Sequence, residues 1–117
     1  MFRQRFTIRH LVSWTVPLLL TAAGSAAAAD PPQYSLVLKN HLYEPAALKV
    51  PAGTKFKIVV RNDDPTPEEF ESTDFSREKI VMPHSSIVVY VGPLSTGNYG
   101  FFGDFHPDTA KGRLIVE

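Results

Sequence analysis

The sequence predicts an all-β fold, a β-sandwich of about seven to eight strands, on three observations. Short segments of alternating apolar and polar residues follow one another from Tyr34 to the C-terminus. Turn-forming residues separate these segments at intervals of about ten residues. No long segment shows the 3.6-residue period of an amphipathic helix. We therefore expect two packed sheets, with at most one helical turn, at residues 74–78.

The first predicted strand alternates Tyr34, Leu36 and Leu38 with residues that face the other way. Pro51 and Gly53 predict a tight reversal between the second and third strands, because proline presets its own φ and glycine accepts a positive φ. The eight segments with strand patterns are residues 34–39, 47–50, 55–61, 69–72, 79–82, 86–91, 98–102 and 112–116.

The fourth strand follows a polar, turn-rich segment that begins at Asn62. The two-residue period of a strand places Glu69 and Glu71 on one face and Phe70 on the other. With Phe70 in the core, both carboxylates face solvent.

Residues 1–29 are expected to be a secretory signal peptide rather than part of the fold. Arg3, Arg5 and Arg9 precede an apolar segment at 11–23, and three alanines at 27–29 form a small-residue cleavage site before Asp30. A retained membrane anchor is the alternative, but the apolar segment is shorter than the roughly 20 residues that span a bilayer. The predicted organisation is a signal peptide, 1–29, and one domain, 30–117, in the periplasm.

The formal neutrality of the whole chain conceals an acidic domain. Without the three signal arginines, nine of the twelve Lys and Arg residues remain against twelve Asp and Glu residues. A nucleic-acid partner is therefore not expected, since binding to phosphate needs clustered positive charge. The chain has no cysteine, so neither a disulfide nor a thiolate metal ligand is available.

The segment at residues 103–112 is rich in side chains that bind metals. Asp104 offers carboxylate oxygen and His106 an imidazole nitrogen. Such donors suit iron or a borderline divalent ion, whereas soft-metal thiolate chemistry is excluded. The alternative is a surface turn, in which His106 bonds to backbone and Asp104 caps local amides.

Several segments together resemble cupredoxin-like domains over nearly the whole chain after residue 29. The most specific is the run Phe101-Phe102-Gly103-Asp104-Phe105-His106. The other segments that carry the resemblance are residues 43–45, 50–54, 62–64, 69–71, 92–94 and 97–99. More closely, the chain is similar to the small periplasmic cupredoxin-like components of bacterial ferrous-iron uptake systems and to the cupredoxin domain of EfeO-type proteins. The resemblance implies a Greek-key β-sandwich.

The resemblance also implies a site and a role. Glu69 stands where electron-transfer cupredoxins have their first histidine ligand, and the cysteine ligand is replaced near Gly103. The loop histidine remains as His106. If the strand order is that of a cupredoxin, Glu69, Asp104 and His106 meet at one end of the sandwich. The implied cofactor is a copper or iron ion, and the implied partners are an iron permease and a periplasmic iron-binding protein.

Two further residues are candidate ligands. Glu44 could add an oxygen donor and Met82 a soft axial donor. Met82 is alternatively core filler, and Glu69 and Glu71 are alternatively solvated strand residues. His41 and His84 lie in predicted turns without a partner at diagnostic spacing, and we leave both outside the predicted site.

Hydrolase and transferase motifs are absent from the sequence, which has no nucleophile elbow, zinc helix or phosphate-binding glycine loop. The sequence thus predicts a periplasmic metal-binding protein that assists iron uptake by iron oxidation, electron transfer or delivery to a permease. The alternatives are a metal-free interaction module, which an exposed Phe102 or Phe105 would favour, and a periplasmic copper carrier.

Overall fold

A computed structural model describes residues 13–21, 24 and 29–117, and this part of the chain contains nine β-strands and no helix. The first five strands are β1 (Gln33–Lys39), β2 (Leu42–Glu44), β3 (Ala47–Val50), β4 (Phe56–Asn62) and β5 (Glu68–Ser72). The last four are β6 (Arg77–Val81), β7 (Ser86–Val91), β8 (Gly97–Gly103) and β9 (Lys111–Val116).

The strands form two mixed sheets that pack face to face. One has four strands in the order β2-β1-β4-β7, and the other has five in the order β3-β9-β8-β5-β6. Two pairs, β1 with β4 and β3 with β9, are parallel, and the remaining pairs are antiparallel. The predicted β-sandwich is therefore confirmed.

The core lies between the sheets and is filled by alternate residues of each strand. Phe70 is fully buried while Glu69 and Glu71 on the opposite face are half-buried, as the two-residue period predicts. Phe70 and Phe101 lie with ring centroids 5.5 Å apart, and Tyr43 meets Phe101 edge to face at 5.4 Å. Such aromatic pairs add to the free energy gained from burial.

Two local predictions need correction. Residues 74–76 form a turn that leads directly into β6, so the expected helical turn at 74–78 does not exist. Strand β2 was not predicted, because only three residues pair and only Tyr43 among them is buried. The predicted reversal at Pro51 and Gly53 is confirmed, with a φ of 71° at Gly53.

The topology brings three connections to one end of the sandwich. Because β1 and β4 are parallel, both end there. Strand β5 begins at that end, and β8, antiparallel to β5 with Gly103 opposite Phe70, finishes there. The β1–β2 turn, the start of β5 and the β8–β9 loop therefore lie together.

Most of the predicted signal peptide, residues 1–12, 22–23 and 25–28, lies outside the described residues. Residues 13–21 have no regular secondary structure. Among the residues that the structure describes, we find no helix of the length and apolar character needed to cross a membrane.

Candidate metal centre

His41 is presented by the tight turn between β1 and β2. Lys39 pairs with Leu42, so the turn has two central residues, and both Asn40 and His41 have positive φ, 52° and 58°. This is the type I′ geometry that matches the twist of a hairpin. A histidine pays a steric cost there, because residues with a Cβ rarely adopt positive φ.

The buried carboxylate of Asp64 holds this turn. One oxygen accepts a hydrogen bond from the Asn40 backbone N–H at 2.6 Å and the other from the His41 N–H at 3.0 Å. The second oxygen also lies 3.5 Å from His41 Nδ1. Asn62 in turn accepts a hydrogen bond from the Asp64 N–H at 2.9 Å. Asn62 and Asp64 therefore hold the His41 turn in place through a chain of polar contacts.

Glu68, the first residue of β5, is a carboxylate within the core face of the sandwich. Its residue is 1% exposed, since it shares the face of Phe70. One oxygen accepts hydrogen bonds from the backbone N–H groups of Glu69 at 3.0 Å and Phe105 at 2.8 Å. The other lies 2.7 Å from His106 Nδ1. These contacts compensate the cost of burying the charge.

His106 lies in the β8–β9 loop and is held at both its backbone and its ring. Its N–H donates to the Gly103 carbonyl at 3.1 Å, and its own carbonyl accepts from the Ala110 N–H at 2.9 Å. The imidazole is 34% exposed. It stacks on His41 with ring centroids 3.6 Å apart and an interplanar angle of 17°.

His41, Glu68 and His106 form a group that we call the His-Glu-His cluster. Each offers one ligand atom, and these atoms all lie within 4.8 Å of one another. Two imidazoles and one carboxylate at the rim of a sandwich suit a borderline or hard ion such as Cu(II), Fe(II) or Zn(II). The donor set has no thiolate, so it does not fit a blue-copper centre.

Tyr43 places a second unusual polar group near this cluster. It is 3% exposed, and its hydroxyl has no hydrogen-bond partner among the described residues. Burial raises the pKa of the Tyr43 phenol far above its usual value, and the negative charge of Glu68 raises it further. Both causes favour the neutral form of the phenol.

The predicted ligands fall into different places. His106 belongs to the His-Glu-His cluster, whereas Asp104 and Glu69 join Glu71 in a separate acidic group at the surface. The prediction that Glu69 and Asp104 share a site with His106 is therefore wrong. Glu69 lies on the outer face of β5, away from the core face that carries Glu68. Partial desolvation, followed by repulsion from Glu78, Glu71 and Asp104, raises the pKa of Glu69.

The other two predicted ligands belong to neither group. Glu44 is an exposed residue at the end of β2, paired with Val37. Met82 is 58% exposed and follows Val81, the residue opposite Glu68 in the β5–β6 pair. The alternative interpretation, in which the Met82 side chain packs in the core, is therefore wrong.

Sequence reasoning missed two members of the cluster. Glu68 had a usable signal, since it lies two residues before Phe70 and must share its buried face in an extended strand. His41 had none, because its neighbours in the cluster are separated from it by long stretches of chain and meet it only through the parallel pairing of β1 and β4.

Solved structures with the same fold include several copper proteins. The metal-binding domain of the Cu(I)-exporting P-type ATPase CopA of Streptococcus pneumoniae D39, solved with Cu(I), matches with a TM-score of 0.66 at 16% identity, over 73% of this chain and 84% of that one. Auracyanin A, a "blue" copper protein of Chloroflexus aurantiacus, matches with a TM-score of 0.65 at 13% identity, over 75% and 100%. A purple cupredoxin of Nitrosopumilus maritimus matches with a TM-score of 0.56 at 21% identity, over 71% of this chain and 98% of that one.

Sequence comparison identifies a nearer relative and the family. An uncharacterized protein of Rickettsia prowazekii (strain Madrid E), RP394, is 49% identical over 84 residues, which cover 72% of this chain and 67% of that protein. The sequence model of the cupredoxin-like domain family matches residues 11–116 of this chain. The chain therefore belongs to the cupredoxin-like domain family.

Proposed function

We propose that this cupredoxin-like protein binds one metal ion through His41, Glu68 and His106 and serves periplasmic iron uptake. The observation that carries the metal-binding part is the convergence of two imidazoles and a buried carboxylate within 4.8 Å. Three connections that are distant in sequence supply these groups, so only the folded sandwich assembles them.

The surroundings of each side chain support a ligand role. Asp64 contacts Nδ1 of His41, which leaves Nε2 free to bind a metal and restricts the rotation of the ring. Glu68 already has one oxygen occupied by two backbone N–H groups, so the oxygen beside His106 is the one available. The buried charge of Glu68 attracts a cation to a site of low dielectric constant.

The donor set favours Cu(II) or iron over Cu(I), because carboxylate oxygen is a hard ligand. The copper named for the structural neighbours supports copper as a candidate, and the oxygen donor supports iron. A bound copper or iron ion would supply one-electron redox chemistry. His41 and His106 are partly exposed, so the cluster lies at a surface that a partner can reach.

A titration with Cu(II), and with Fe(II) under anaerobic conditions, tests the metal-binding part. We expect one equivalent to bind to the purified protein, with binding weakened strongly in Glu68→Gln and in His106→Ala. His84→Asn is the matched control, since His84 is an exposed turn histidine with a φ of 53°, which asparagine tolerates. Equal binding by the wild type and both cluster variants, or no binding at all, would contradict the proposal.

The iron-uptake part rests on the resemblance to small components of ferrous-iron uptake systems. Its partners would be an iron permease and a periplasmic iron-binding protein. Deleting the gene should reduce uptake of radioactive ferrous iron by the native bacterium, and wild-type protein should restore uptake while Glu68→Gln should not. Full uptake in the deletion strain would refute this role and leave metal binding unaffected.

A second candidate function is a docking module that works without metal. The observation in its favour is Phe105, which is 45% exposed immediately before His106. In that case Phe105→Ser would abolish capture of a periplasmic partner, while chelator and His106→Ala would leave capture unchanged. Loss of capture in chelator would instead favour a metal-dependent role.

A further inference from the structure

Gly103 ends β8 directly behind the Glu68 carboxylate. A Cβ added to Gly103 would lie 2.5 Å from Glu68 Cδ and 2.8 Å from each of its two carboxylate oxygens. Such distances are shorter than any that two non-bonded heavy atoms of these kinds adopt. The space beside the Gly103 Cα is therefore filled by the side chain of Glu68.

Polar contacts hold the Glu68 carboxylate in this space. Its carboxylate accepts from the backbone N–H groups of Glu69 and Phe105 and contacts His106 Nδ1, so a displacement breaks three polar contacts at once. The backbone of Gly103 is also fixed, because its N–H donates to the Ala110 carbonyl at 2.7 Å. A side chain at position 103 and the carboxylate in its observed place therefore exclude each other.

We infer that Gly103 is a specificity-determining residue, which keeps the centre selective for metals that prefer oxygen and nitrogen ligands by reserving the space for Glu68. This inference rests on the proposed metal site. A larger residue at 103 moves the carboxylate away from His106 and so removes the oxygen donor. Once Glu68 is removed, the same space accepts a side chain from position 103, and a cysteine there supplies sulfur instead of oxygen.

An unfolding experiment on the metal-free protein tests the steric exclusion. The variants are Gly103→Ala, Glu68→Ala and the double variant, with Gly100→Ala in both backgrounds as control. Gly100 lies on the same strand, and its added Cβ would have Asp74 Oδ2 as nearest atom at an ordinary 3.5 Å. We expect Gly103→Ala to lower the melting temperature when Glu68 is present and to change it much less in the Glu68→Ala background. Equal losses in both backgrounds would overturn the inference.

A metal titration tests the selectivity. With Co(II), which is a spectroscopic probe that does not oxidise thiols, Gly103→Ala should bind at least about tenfold more weakly than the wild type, and Gly100→Ala equally well. The double variant Glu68→Ala/Gly103→Cys should show a stronger thiolate-to-Co(II) charge-transfer band than Gly103→Cys alone, in which the Glu68 carboxylate competes with the thiolate for the same space. Wild-type affinity in Gly103→Ala, or a band of equal strength in both cysteine variants, would overturn the inference.

The two experiments separate this inference from the proposed function. A wild-type protein that binds no Co(II), Cu(II) or Fe(II) would refute the metal site and with it the selectivity. The melting temperatures of the single and double variants would still decide whether a side chain at position 103 and the Glu68 carboxylate exclude each other.

Discussion

Removing the hydroxyl of Tyr43 should stabilise the protein, which is the opposite of the usual result for a buried tyrosine. In Tyr43→Phe the ring and its edge-to-face contacts with Phe70 and Phe101 remain, so the substitution deletes one oxygen only. That oxygen is buried and has no hydrogen-bond partner among the described residues. Its desolvation is therefore an uncompensated cost of folding.

The magnitude follows from the two alternatives for a buried hydroxyl. An unpaired buried polar group costs about 1–3 kcal/mol, whereas a paired one contributes about 1 kcal/mol to stability. We therefore expect Tyr43→Phe to raise the free energy of unfolding by about 1 kcal/mol or more. With a urea m-value of about 1–2 kcal/mol/M, the midpoint should rise by about 0.5–1 M.

Urea unfolding curves, monitored by far-UV circular dichroism at neutral pH, measure this change. The m-value should stay constant, because the buried area hardly changes. A fall in the free energy of unfolding of about 1 kcal/mol would refute the reasoning, since it would mean that the hydroxyl has a stabilising partner in solution. Glu68 would then be the first residue to test for that partner, because its charge acts on the Tyr43 phenol.

Three further predictions follow from the same structure. Burial raises the pKa of Tyr43, so at high pH the folded state keeps a proton that the unfolded state loses. The free energy of unfolding should therefore fall as the pH rises above about 10. Unfolding curves measured across that pH range should show a smaller fall in Tyr43→Phe than in the wild type. Asp64→Asn should destabilise the protein by about 1–3 kcal/mol in urea unfolding and should weaken metal binding about tenfold, because it disturbs the backbone contacts of the His41 turn. The neighbour variant Asp63→Asn, which loses only the surface ion pair with Arg61, should leave metal binding unchanged and destabilise the protein much less, and equal effects of both variants would contradict this account. Phe101→Ala should cost about 3–5 kcal/mol, measured in the same way, because Phe101 is fully buried between Tyr43 and Phe70; a loss below about 1 kcal/mol would contradict the described packing.

The strands were predictable because each depends on a short-range pattern. Ala47–Val50 and Ser86–Val91 have the predicted bounds, and most other predicted strands differ by one or two residues at an end. The period of two also placed Phe70 inside and Glu69 outside. Applied one residue earlier, the same rule places Glu68 inside, and the prediction missed it by starting the strand at Glu69.

The sequence by itself determined the alternation that builds two apolar faces, the turn at Gly53 and the absence of any thiolate ligand. Tertiary structure decided which polar groups meet. His41 reaches His106 because parallel pairing of β1 and β4 brings the β1–β2 turn to the end where β8 finishes. Glu68 reaches His106 because Gly103, opposite Phe70, leaves room for a carboxylate. Neither condition is local, since each joins residues on different strands, and for this reason no pattern of neighbouring residues could have predicted the cluster.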